Sequence, residues 1–106
     1  MHVHYSSRLG YGFIVQRQEY RELPEEKFKQ FQESDYAFAI DGWDPDNSTY
    51  FFGLMIWHAD PREYFMVPPV TPYSHEDLIK MIDEYKSLFP GKDSYMPHNY
   101  VLSCVD

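Results

Sequence analysis

The chain of 106 residues carries 17 acidic and 9 basic side chains, a formal net charge of −8, and 19% of it is aromatic. That length accommodates one core, because two would leave each half below the size that folds without disulfides or metals. The acidic balance argues against partners dominated by phosphate, such as duplex DNA or an anionic membrane surface, and the 43% hydrophobic content argues against wholesale disorder.

Cys104 is the sole cysteine, so no intramolecular disulfide and no cysteine-based zinc cluster can form. Flanked by Ser103 and Val105 in an apolar run, it reads as a small buried hydrophobe and not as a nucleophile. No stretch approaches the roughly 20 apolar residues of a bilayer span. Met1 to Tyr5 lacks a basic region followed by an apolar run, so no signal peptide is expected. These features together predict a soluble, cytoplasmic protein.

The first element predicted is a strand over Leu9–Gln18, entered at Gly10 and Gly12, and the residues before it have the means to add another short strand. Pro24, followed by Glu25 and Glu26, marks a helix start, since proline lacks only a donor the first turn does not use and the glutamates face the positive end of the dipole. Phe28 and Phe31 give that helix one apolar stripe, and it is expected to end near Ser34-Asp35.

Tyr36–Ile40 alternates large and small, which puts Tyr36, Phe38 and Ile40 on one strand face and leaves Ala37 and Ala39 for close approach on the other. Residues 41–48 are rich in turn formers. Thr49–His58 is a nearly unbroken apolar run, the pattern of a central strand covered on both faces. A turn at residues 59–63 and a short edge strand over Tyr64–Val67 come next.

Ser74 is placed to cap a helix in which Leu78, Met81, Ile82, Tyr85, Leu88 and Phe89 share one face, Glu76 and Lys80 pair outside it, and Pro90-Gly91 stops it. Tyr100–Val105 closes the chain as a strand. The rhythm β-α-β-β-α-β predicts a single α+β domain, a two-layer sandwich with both helices on one face of a largely antiparallel sheet. A ferredoxin-like topology is its leading form.

Catalytic patterns are weak. His2 and His4 form H-x-H and His58 with Asp60 forms H-x-D, spacings that suit metal ligands on a strand, so a small metal-dependent enzyme is one alternative. Asp44-x-Asp46-x-Ser48 begins like a calcium loop but has Thr49 where glycine is needed and Met55 where a bidentate glutamate is needed. Gly10-Tyr11-Gly12 lacks the third glycine of a dinucleotide fingerprint, Val15 standing in its place. No nucleophile elbow surrounds Ser48, Ser74 or Ser103. The carboxylate pairs Glu25-Glu26, Glu76-Asp77 and Asp83-Glu84 fit helix starts and solvated faces. No cofactor is implied, and no enzyme is expected.

Tyr50, Phe51 and Phe52 have the aromatic character of a base-stacking platform, but the basic flank such a platform needs is missing. From Gln30 to Pro61 there is no lysine or arginine, while Glu33, Asp35, Asp41, Asp44, Asp46 and Asp60 add six negative charges. An acidic segment interleaved with aromatics combines steering charge and anchoring area for a basic partner. Trp43, inside Asp-Gly-Trp-Asp-Pro, is on no periodic apolar face. The partner-binding residues expected are therefore Asp41, Trp43, Asp44, Asp46, Tyr50 and Asp60.

Small, acidic and without a catalytic motif, the chain is similar in character to inhibitors encoded by phages or mobile elements. The composition implies a non-catalytic module docking a basic protein surface and occluding a nucleic-acid-binding site. The alternatives are a homo-oligomeric structural or accessory subunit, or an enzyme using His2, His4, His58 and Asp60.

Overall fold

The sheet is organised around the first strand of the chain, which pairs on both sides with strands from the middle and the end of the sequence. The computed structural model describes residues 5–40, 48–59 and 73–105, without the side chains of 5–7, 56–59 and 103–105. In chain order the elements are β1 (Tyr5–Val15), α1 (Arg17–Arg21), α2 (Glu25–Glu33), β2 (Ala37–Ala39), β3 (Tyr50–Ala59), α3 (His75–Leu88) and β4 (His98–Val105). The strands form one sheet in the order β2-β3-β1-β4, every neighbouring pair antiparallel. The molecule is thus α+β, as the alternating patterns predict.

β3 lies between β2 and β1, and its adjacent residues Phe51 and Phe52, on opposite faces, are both 0% exposed. The unbroken apolar run of that strand has this cause: a strand covered on both faces has no position to give to polar residues. On one face Phe13 and Val15 of β1 and Tyr50 and Phe52 of β3 pack with Phe31 of α2 and Met81, Tyr85 and Leu88 of α3. Both longer helices therefore share that face, and Ala37 and Ala39 lie beneath them, where small side chains permit close approach. On the other face Phe51 and Leu102 pack with Ile14, Phe38, Ile40, Met55 and Tyr100.

Several boundaries differ from expectation. β1 begins at Tyr5, so residues 5–8 extend that strand, and residues 1–4 lie outside the described ones. It ends at Val15, and α1 occupies residues expected to finish the strand. The Gln16 N–H donates to Glu19 Oε2 at 2.8 Å, a side-chain acceptor that turns the polar end of the run into a helical turn. Pro24 is the N-cap of α2 and not its first helical residue. Tyr36 packs with the helix-side core, its ring 5.8 Å from that of Phe52, while Phe38 and Ile40 join the opposite cluster. β4 starts two residues early, at His98.

α3 matches its pattern closely. The Asp77 N–H donates to Ser74 Oγ at 3.1 Å, Met81, Tyr85 and Leu88 are buried, and the chain leaves the helix at Phe89 before Gly91, whose φ is +86°. That left-handed conformation favours glycine, which has no Cβ to clash. Near the end of β3 the register with β1 slips between Leu9 and Gly10: Leu9 faces Trp57 and Gly10 faces Met55, leaving Ile56 as the extra residue of a bulge. The edge strand expected over Tyr64–Val67 lies outside the described residues.

Candidate partner-binding surface

The base of the acidic loop is tied to the core from two sides. The Ile40 N–H donates to the Thr49 carbonyl at 2.9 Å, closing the chain where it leaves and re-enters the sheet. The Tyr20 hydroxyl, reaching from α1, donates to the Ser48 carbonyl at 2.8 Å in a buried position. Asp41, Trp43, Asp44, Asp46 and Asp60 lie outside the described residues.

Tyr50 is placed elsewhere than on a surface. It is 6% exposed, and its ring meets those of Tyr20 and Phe31 edge-on at 5.2 and 5.0 Å. Its position on β3 points it under the helices, so its area is spent on packing and not on a partner. Phe51 and Phe52 are likewise buried.

Among the described residues, carboxylates from two parts of the chain act on one tyrosine. Asp35, in the turn between α2 and β2, and Asp77 and Glu84 of α3 all act on the half-buried Tyr36. Burial, then Glu84, Asp77 and Asp35 in that order, raise its phenol above the usual tyrosine range. Asp35 and Asp77 are exposed, and Glu84 is half-buried. Local pattern fits Asp77 to a helix start and Glu84 to a solvated helix face, and both also act on Tyr36 from α3.

At another corner, Lys92 ties the turn after α3 to α1. Its Nζ contacts Glu19 Oε1 at 2.5 Å and lies 5.4 and 5.6 Å from the ring centroids of Tyr85 and Phe89. Burial lowers the Lys92 pKa, but hydrogen bonds to Glu19 and Tyr85 and their charge more than offset this, so it sits above the usual lysine range. The Lys92 N–H donates to Tyr95 Oη at 3.1 Å, and that hydroxyl donates to the Phe89 carbonyl at 2.7 Å. A hollow of about 250 Å³ beside Lys92 is lined in part by Leu23, Leu88, Phe89 and Pro90.

The β1–β3 register sets Arg8 opposite His58 and Ser7 opposite Ala59. The start of β1 and the end of β3 thus reach the same end of the sheet. His2, His4 and Asp60 lie outside the described residues. Among the described residues, no group of three or more His, Cys, Asp or Glu is arranged to hold a metal ion, and no helix is long and apolar enough to cross a membrane. Comparison with family models, curated proteins and solved structures found no match.

Proposed function

We propose that this chain is a small, acidic, non-catalytic interaction module that docks a basic surface of another protein. The carrying observation is the stretch of sequence from Gln30 to Pro61, which holds six acidic side chains and not a single lysine or arginine, and the charge of Glu84, Asp77 and Asp35 is felt at Tyr36 within it. Carboxylates on one patch steer a cationic partner, and a half-buried tyrosine supplies anchoring area with little entropy to lose. In this reading Asp41, Trp43, Asp44 and Asp46 extend the acidic surface, and Tyr36 takes the anchoring role first given to Tyr50. The partner's basic surface is one that otherwise contacts nucleic acid, which makes the module an inhibitor of the phage or mobile-element type acting in the cytoplasm. The order β2-β3-β1-β4 with antiparallel neighbours supports a ferredoxin-like topology in which α1 and α2 together form the first crossover.

The test is a binding titration against the basic protein recovered by affinity capture with the full chain. Combined Asp35→Asn, Asp77→Asn and Glu84→Gln substitutions are expected to weaken binding at least tenfold, and a variant with Asp41, Trp43, Asp44 and Asp46 all replaced by alanine to abolish it. Rising salt should weaken the wild-type complex. Binding that survives both variants and high salt would falsify the acidic surface.

A further inference from the structure

We infer that the β4 edge is a self-association seam, along which a second copy of this chain pairs antiparallel to extend the sheet. Among the described residues β4 is outermost in the sheet, and it stays in register with β1 over eight positions, from Tyr5 opposite Val105 to Gly12 opposite His98. The other outer strand, β2, is only three residues long. A short edge offers little template, whereas a long regular one offers a full row of backbone donors and acceptors. Edge strands kept from pairing carry lysine, proline or a bulge. β4 has none of these within His98–Val105.

Charge selects the occupant. The chain is −8 overall, so two copies repel wherever their surfaces are acidic. From Ser94 to Val105 there is no Asp, Glu, Lys or Arg. This seam lets two such chains meet without opposing like charges, while a basic partner gains nothing from it and is drawn to the carboxylates instead. Val101 is 78% exposed on β4, and Met96, just before the strand, is 67% exposed. A two-fold axis beside Val101 sets that residue opposite its own copy and Tyr100 opposite Leu102 of the second copy. The exposed valine then gains an apolar neighbour at cross-strand distance, and the apolar cluster of Phe51, Tyr100 and Leu102 continues across the axis.

Sedimentation equilibrium of the full chain over a concentration series tests this. The wild type is expected to dimerise, and more tightly as salt rises, because salt screens repulsion between acidic bodies but leaves a neutral seam untouched. That sign is opposite to the one expected for capture of a basic partner, so the two readings fail separately. Val101→Lys and Val101→Glu, each at an exposed position and expected to match the wild-type melting temperature at concentrations where the wild type is monomeric, should each raise the dimer dissociation constant at least tenfold. Mixing the two variants should restore the dimer, since lysine then faces glutamate. A monomeric wild type, a dimer indifferent to either substitution, or a mixture that stays monomeric overturns the proposal.

Discussion

Gly12 and Gly53 face each other directly across β1 and β3, and neither has room for a side chain. A Cβ on Gly53 would lie 2.5 Å from the Tyr11 carbonyl oxygen, and one on Gly12 would collide with the Phe52 carbonyl oxygen. The obstruction is backbone, so it cannot rotate away. Gly12→Ala and Gly53→Ala are each expected to cost about 1–3 kcal/mol or more, as overpacking in a rigid site does. Urea unfolding measures this directly, and a loss below a few tenths of a kcal/mol would show that the strands separate easily at this pair.

Gly10 is constrained by a side chain instead. Its Cβ would stand 2.5 Å from Phe51 Cζ, and Phe51 is wholly buried between its neighbours. Gly10→Ala alone should therefore destabilise the fold, while Gly10→Ala with Phe51→Leu should recover part of the loss. A double-mutant cycle reads the coupling, and additive losses would mean that the ring is not what excludes the methyl group.

At the start of α3, Ser74 satisfies one of the free first-turn donors by accepting from the Asp77 N–H. Ser74→Ala should lower stability by about 1 kcal/mol, and Ser74→Asp should largely retain it, since aspartate caps equally well. Thermal unfolding of the three proteins distinguishes this from a general effect of substitution at the site.

That cap was legible in sequence because capping, periodicity and the Pro90-Gly91 stop all act within a few residues of one another. The two-sided burial of Phe51 and Phe52 was legible for a similar reason: a strand's pattern records which faces are dry. α1 was not, because the apolar run of β1 passes without a break into Gln16 and Arg17, and the turn depends on a bond between Gln16 and Glu19 that composition does not announce. Tyr50 is buried where a surface position is expected, because an aromatic beside a polar stretch has the same pattern whether it faces out or in. The bulge at Ile56 leaves no turn residue to mark it. The influence of Asp77 and Glu84 on Tyr36 was not legible either, since charge gaps are counted along the chain whereas electrostatic effects act across it.

Tyr20 links the core to the base of the acidic loop through its hydroxyl on the Ser48 carbonyl. Tyr20→Phe keeps the ring packing against Phe31 and Tyr50 and removes only that donor. A loss of about 1–2 kcal/mol is expected, the usual penalty for removing one partner of a buried hydrogen bond. Hydrogen exchange should show faster opening at Ile40, whose N–H closes the loop, than at Met81 in the helix core. Equal acceleration at both would make the bond a global rather than a local tether.

Alkaline pH acts on three groups at once, and all three push in the same direction. Lys92 is raised because its bonds to Glu19 and Tyr85 outweigh burial, and Tyr85 is raised chiefly by burial, with Lys92 opposing. Tyr36 is raised by burial and by Glu84, Asp77 and Asp35. A group whose pKa is higher folded than unfolded contributes stability in full below its unfolded pKa and loses it as pH climbs through the folded value. For lysine and tyrosine that window opens at about pH 10. Stability should therefore hold from neutrality to roughly pH 9 and fall beyond about pH 10. Lys92→Met should be less stable at neutral pH, where the tie to Glu19 is lost, yet show a shallower alkaline decline. Tyr36→Phe should also flatten the decline, without the neutral-pH penalty, since the Tyr36 hydroxyl contributes through its surroundings and not through the α1–α3 tie. Denaturant midpoints collected across that range decide it, and a Lys92→Met profile parallel to the wild type would show that this lysine does not sense the folded state.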